Sequence, residues 1–260
     1  MNDATAAALN RINRQFYHLY SDPFSATRSR PWRGWKRLVE HFSSDWPHQA
    51  GPGGVTSILD VGCGNGRFGV FLSQHLPIRI HYFGVDSSAE LLAVATQRLA
   101  AASQVDAELL ELDLLSGDRA TAWNGHTFHL IVVFGLLHHL PGIENRRQLL
   151  TELAARLVPG GMLALSFWQF ASVERFQRRI IPWAEHNRVT GEAIDIHELE
   201  RGDYLLAWGD RGSARRYCHF GDPQEARELV KCLDLDEVEH FRADGGSGEL
   251  NLYYLLQAGR

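Results

Sequence analysis

The chain has 260 residues, 45% of them hydrophobic, and a formal net charge of −5. This length and apolar content suit one sizeable α/β unit, and the negative balance argues against a general nucleic-acid binder. No apolar run of about eighteen residues and no basic region followed by an apolar run is present, so neither a transmembrane helix nor a secretory signal is expected. Cys63, Cys218 and Cys232 match neither a disulfide framework nor a metal knuckle. A cytoplasmic protein with no membrane partner and no bound metal is the plain expectation.

In chain order, Leu9, Ile12, Phe16 and Leu19 recur at helical spacing and predict an amphipathic helix that must dock on something. Arg28, Arg30, Arg33, Lys36 and Arg37 follow, interleaved with Trp32 and Trp35. A solvated helix face accounts for such a cluster, and a groove for a nucleic-acid backbone is the alternative. Residues 49–54, QAGPGG, read as a turn-rich linker. Residues 57–61 read as a buried strand containing Asp60, which runs into the turn Gly62-Cys63-Gly64-Asn65-Gly66; a helix opens at Arg67. Glycine lets a ligand press on the backbone, and the helix start beyond it offers unpaired N–H groups. Asp60 adds a negative charge, which suits a ligand carrying positive charge. Gly64, Gly66 and Gly69 also fit the dinucleotide fingerprint, so this turn alone leaves a nicotinamide cofactor open.

Asp86 ends the next apolar strand, 78–85, where a carboxylate can accept hydrogen bonds from a ribose diol. Asp113 follows a third strand, 107–112, and is a candidate acceptor for an adenine amino group. The fourth strand, 128–134, runs into two histidines, His138 and His139. A helix over 145–157 carries Leu149, Leu150, Leu153 and Leu157 on one face and stops at Val158-Pro159-Gly160-Gly161 before a fifth strand, 162–167. The segment from there to Asp222 reads as two helical pieces and a loop. It follows a strand end, so it can roof a ligand. Asp222-Pro223 caps a last helix with Glu225 at its third position. Strands 235–241 and 250–257 flank the glycine-rich turn from Asp244 to Gly248 and predict an antiparallel hairpin.

Taken together, LDVGCGNG at 59–66, VD at 85–86, LDL at 112–114, LLHHL at 136–140 and LVPGGMLALS at 157–166 resemble the core of class I S-adenosylmethionine-dependent methyltransferases. The resemblance implies a Rossmann-like α/β fold. Its seven-stranded mixed sheet is parallel with an antiparallel C-terminal hairpin strand, and helices cover both faces. It also implies a single domain over residues 1–260, with an N-terminal lid at 1–50 and a substrate cap at 169–221. The cofactor would be S-adenosylmethionine, whose sulfonium and ammonium suit Asp60. The implied cofactor residues are Tyr17, Arg28 and Trp32 from the lid and Asp60, Gly62, Cys63, Gly64, Asn65 and Gly66 from the first strand and turn. Asp86, Ser87, Asp113, Leu114 and Phe134 complete the set from the other strand ends.

Flanking stretches resemble a narrower group, which forms the methyl ester of carboxymethyluridine at the tRNA wobble position. They are Phe16-Tyr17, Phe24 to Arg28, Pro31-Trp32, GDYLLAW at 202–208 and RRYCHF at 215–220. Arg33, Ala207 and Cys218 depart from that group's usual residues. This likeness implies tRNA as the acceptor and a small activator subunit as partner.

Methyl transfer from a sulfonium is an in-line displacement that depends on proximity and alignment. A carboxylate acceptor is already ionised and needs a cation to hold it; Arg28, Arg216 and His219 are the candidates. An amine or hydroxyl acceptor needs a proton acceptor, for which His138 or His139 would serve. The expected catalytic set is therefore His138, Arg216 and His219. Competing readings are a small-molecule O- or N-methyltransferase, a catalytically silent cofactor-binding regulatory subunit and a nicotinamide oxidoreductase.

Overall fold

The computed structural model describes residues 1–42, 54–116, 119–190, 193–209 and 214–259; positions 49–53 of the expected linker lie outside them. Strands β1 (Val55–Val61), β2 (Arg79–Asp86), β3 (Val105–Glu111), β4 (Phe128–Val133) and β5 (Leu157–Trp168) run parallel. A short antiparallel sheet follows, made of β6 (Ile180–Ile181), β7 (Asp203–Trp208) and β8 (Ala214–His219). The chain then returns to the main sheet through β9 (Asp236–Ala243) and β10 (Asn251–Gln257), and β10 pairs antiparallel with both β9 and β5. The main order is β3-β2-β1-β4-β5-β10-β9, the seven-stranded mixed sheet expected from the sequence. Every residue of β4 is buried, as a central parallel strand covered on both faces requires.

The helices are α1 (Asp3–Ala26), α2 (Arg33–Glu40), α3 (Arg67–His75), α4 (Ala89–Ala100), α5 (Arg119–Ala122), α6 (Ile143–Ala154), α7 (Glu174–Gln177), α8 (Trp183–Thr190) and α9 (Pro223–Lys231). One face of the sheet is covered by α2, α3 and α4 through Trp35, Phe71, Leu72 and Ala95. The other is covered by α6 and α9 through Leu149, Leu153 and Leu229. Asp222 caps α9 as expected, accepting from the N–H groups of Gln224 and Glu225 at 2.9 Å each.

Helix α1 lies outside both layers. Leu9 and Ile12 pack on Leu205 and Tyr217 of the small sheet, so the segments expected to be lid and cap share a core. The helix kinks at Tyr20 (φ −127°, ψ 19°), three residues before Pro23, because proline has no N–H and its ring clashes with the carbonyl four residues back. Leu19, read from its spacing as part of the buried face, is 60% exposed beside this kink.

Two further readings are corrected. The cap is not two helical pieces and a loop: α7 and α8 are joined there by the three-stranded sheet. The stop expected at Val158 to Gly161 is already strand, since α6 ends at Ala154 and β5 begins at Leu157.

Candidate active site

The sheet order reverses at β1 and β4, and a ligand of such a sheet sits outside the carboxyl ends of the strands. A cavity of about 890 Å³ opens there, between those strand ends, helix α1 and the cap. Of the expected site residues, Tyr17, Arg28, Trp32, Asp60, Gly62, Cys63, Gly64, Asn65, Asp86, Ser87, Asp113, Leu114, Phe134, His138 and Arg216 all line it.

Gly66 and His219 are not among the lining residues. A Cβ on Gly66 would meet the Ala95 Cβ at 3.0 Å, so this glycine serves the packing of α3 on α4. His219 is 2% exposed and lies in an ionic cluster. Its Nδ1 is 2.7 Å from Asp203 and its Nε2 2.9 Å from Glu225, whose carboxylate also pairs with Arg146 at 3.1 Å. Burial pulls the His219 pKa down, but Asp203 and Glu225 outweigh it and the net shift is upward. The expectation that His219 faces the cleft is therefore wrong: β8 turns it into the fold.

On the sheet wall, Gly64 takes φ +53° and nothing lies within 4 Å of a Cβ built on it. That open backbone fits close approach by a ligand. The Gly64 N–H donates to Asp86 at 2.8 Å, and the Ser88 N–H donates to the same carboxylate at 3.0 Å. Burial raises the Asp86 pKa, and these N–H groups oppose the shift. Asp60 is 2% exposed and accepts from the Tyr82 hydroxyl. Burial pushes its carboxyl up to about 7 despite that bond. The buried Asp60 and half-buried Asp86 beside an open glycine turn, with Asp113 on the next strand end, fit a ligand that brings ribose hydroxyls and positive charge.

The lid-and-cap wall is the reverse. Arg28, Arg175, Arg179 and Arg216 line it with Trp168, Phe176 and Trp208. The Arg216 guanidinium lies 5.7 Å from the Phe16 ring centroid and 5.1 Å from that of Trp168. It is 6% exposed, and its Nε lacks a hydrogen-bond partner. None of these four arginines pairs with a carboxylate among the described residues.

Both histidines after β4 are held neutral. Burial and the charge of Arg216 pull His139 down to about 3. Burial and the neighbouring His139 take His138 well below its ordinary value. The His139 Nδ1 faces the Tyr217 carbonyl at 3.0 Å and so carries the proton. Its Nε2 then accepts from the Tyr17 hydroxyl at 2.9 Å. Burial pushes the Tyr17 phenol up to about 12.

Sequence reasoning missed Asn10, Asn13, Trp168 and Trp208 as lining residues. The first two had a signal. Asn10, Asn13 and Tyr17 are three, four and seven apart, which sets them on one face of a helix. The tryptophans gave none, because their positions depend on how the cap folds back.

A model described as "Methyltransferase domain" matches residues 59–163. A protein of Encephalitozoon cuniculi described as a methyltransferase is 26% identical over 249 residues, covering 95% of each chain. "Probable tRNA methyltransferase 9B" of Bos taurus is 26% identical over 70% of this chain and 35% of its own length. The tRNA (carboxymethyluridine(34)-5-O)-methyltransferase of Mus musculus is 29% identical over 59% of this chain and 19% of its own. The chain therefore spans about a third or less of these two tRNA-modifying relatives. The N-methyltransferase NodS of Bradyrhizobium japonicum WM9, solved with S-adenosyl-l-homocysteine, shares the fold at TM-score 0.56 and 18% identity, covering 99% of this chain and 100% of that one. Among the described residues no helix is long and apolar enough to cross a membrane. The motif order of the sequence, the sheet built from it and the matched domain agree: the chain carries a methyltransferase domain over residues 59–163 and resembles the class I S-adenosylmethionine-dependent methyltransferases.

Proposed function

We propose that the protein methylates a carboxylate, and that the acceptor is the carboxymethyl group of a modified wobble uridine in tRNA. The observation that carries this reading is Arg216. A guanidinium that is 6% exposed and lacks a carboxylate partner among the described residues is costly to bury. An anionic acceptor set against the Arg216 guanidinium, which lies over the Phe16 and Trp168 rings, supplies the missing counter-charge. Arg28, whose pKa is lowered by burial and by Arg216, lies on the same wall and suits the carboxylate of the cofactor's methionine. Asp86 is assigned to the ribose diol, and ionised Asp60 to the cofactor's positive charge.

The protonation states favour the same acceptor. When bound, S-adenosylmethionine supplies a methyl group on a positively charged sulfur, and its transfer to a carboxylate releases no proton. An amine or hydroxyl acceptor would need a base, and His139, at about 3, is a poor one. The tRNA part rests on the short flanking motifs, on the two tRNA-modifying relatives, and on Arg175 and Arg179, exposed cations at the cavity that suit a phosphate backbone.

Methyl transfer from labelled donor into total tRNA, against a small-metabolite extract, tests this. A methyl ester is base-labile, so mild alkali should release the label as methanol. Arg216→Ala should lower acceptor turnover roughly ten- to a hundredfold, with donor affinity little changed. Acceptor affinity should fall steeply with added salt. Alkali-stable label would exclude the carboxylate. Labelling of a small acid alone would exclude tRNA, and donor binding without turnover on either would point to a regulatory subunit.

A further inference from the structure

Asp113 was expected to meet the adenine amino group directly, yet in the structure helix α1 reaches it first. The Asn10 side-chain Nδ2 lies 3.0 and 2.8 Å from the two Asp113 carboxylate oxygens. The Leu115 N–H donates to Asp113 Oδ1 at 3.0 Å, and Arg14 Nη1 approaches Oδ2 at 3.4 Å. With three donors already converging on it, this carboxylate has little capacity left for a ligand.

Asn10 shows the complementary situation. A carboxylate only accepts, so the amide edge facing Asp113 must be the NH₂ edge. The amide orientation is thereby fixed, and the Asn10 Oδ1 is turned away from Asp113. No described group donates to that oxygen. Asn10, Arg14, Leu112, Asp113 and Leu114 all line the cavity, beyond Asp86 and Ser87. The corner is thus next to the strand end assigned to the ribose, with an oriented acceptor and apolar side chains around it.

We infer that Asn10, carried on the lid helix, selects the adenine of the cofactor by accepting a hydrogen bond from its exocyclic amine, and that Asp113 is a positioning residue that orients the Asn10 amide. The inference depends on the cofactor alone and is independent of the acceptor. It makes base recognition conditional on docking of α1, because the recognising atom belongs to the lid. Hypoxanthine carries a carbonyl oxygen where adenine carries its amine, so it would set two acceptors face to face. A site built around one polar contact rejects an analogue that cannot make it.

Calorimetric affinities of S-adenosylhomocysteine and S-inosylhomocysteine test this on the full chain. The wild type should prefer the adenosyl compound by roughly ten- to a hundredfold. Asn10→Ala should bring the ratio close to one by weakening the adenosyl compound far more than the inosyl one, with at most a small fall in the melting temperature of the free protein from the lost contact to Asp113. Asp113→Ala should lower the ratio through loss of amide orientation, and the double variant should discriminate no worse than Asn10→Ala alone, since coupled residues are not additive. An equal loss for both compounds in Asn10→Ala would reduce Asn10 to a lid latch and overturn the proposal. So would an unchanged ratio in Asn10→Ala with a collapsed ratio in Asp113→Ala, which would return the contact to Asp113. If Asn10→Ala misfolds, Asn10→Ser reads the same ratio.

Discussion

Asp60 sits at the end of β1 with the Tyr82 hydroxyl on its carboxyl and burial holding its pKa at about 7. An acid whose folded pKa lies above its unfolded value, 3.8 here, stabilises the fold below that unfolded value. The contribution is lost as pH rises through about 7. Asp60→Asn should therefore raise the melting temperature of the free protein at pH near 8, by at least about 1 kcal/mol of stability. The same change should weaken S-adenosylmethionine binding, because the cofactor's positive charge selects the ionised acid. Wild-type affinity should fall as pH drops below 7, while the Asn variant stays flat; calorimetry from pH 5.5 to 8.5 reads both. Parallel profiles would detach Asp60 from the cofactor. Asp60, Asp86 and Gly64 were legible in the sequence because a strand end and a glycine turn fix their place locally. Gly66 matched the glycine turn too, and His219 the RRYCHF stretch. Their surroundings, Ala95 and the Arg146 cluster, come from distant segments that no local spacing reveals.

The buried ionic cluster belongs to the scale of elements. Arg146 on α6 is 1% exposed and reaches Glu200 at 2.6 Å before β7 and Glu225 at 3.1 Å on α9. Asp203 on β7 and His219 on β8 complete it. The cluster thus pins the cap sheet to two helices of the main domain. Arg146→Met should leave Glu225 and Glu200 short of a counter-charge and cost about 3–5 kcal/mol, read as a lower denaturant midpoint. His219 adds a pH dependence. Its folded pKa lies above the ordinary 6.5, so its contribution is complete below that value and fades as pH rises through the shifted one. His219→Gln should flatten the fall in stability on the alkaline side of 6.5. The cap sheet itself was not legible. DYLLAW and ARRYCH lack clean alternation, and their pairing spans the 209–213 segment. The capping of α9, by contrast, was read correctly from Asp222-Pro223-Gln224-Glu225, because a cap needs only its own neighbours.

At the scale of the whole molecule, α1 closes the cavity by touching every other part. Asn10 meets the β3 end, Asn13 and Tyr17 meet β8 and the histidine turn, His18 meets Glu90 on α4 and Ser25 meets Asn65 in the glycine turn. The contacts of Asn10, Tyr17 and His18 are polar and only part-buried or exposed, so they open more easily than the sheet core. A cofactor that enters beneath α1 must open them. Hydrogen exchange of α1 should therefore slow with S-adenosylhomocysteine, together with residues 62–66, while β9 exchanges unchanged. At a hundredfold excess over the dissociation constant the ligand should stabilise the protein by about 2.7 kcal/mol. Slowing at 62–66 without slowing in α1 would mean that the helix does not cover the ligand. The five-strand core was legible because each strand ends in a motif. The lid was legible only as an amphipathic helix, since its partners are polar groups scattered along the chain.

The opposition of a carboxylate wall and a guanidinium wall has a consequence for how turnover ends. Asp60 and Asp86 line the same cavity as Arg28 and Arg216. On the proposed reaction each wall greets a substrate of opposite sign. Afterwards the donor has lost its sulfonium charge and the acceptor has become a neutral ester. The donor product keeps its ammonium for Asp60 and its carboxylate for Arg28, so it should stay bound, whereas Arg216 is left facing an ester that no longer answers its charge. On that reaction the acceptor leaves first, and the charge that gathered it is what its methylation removes.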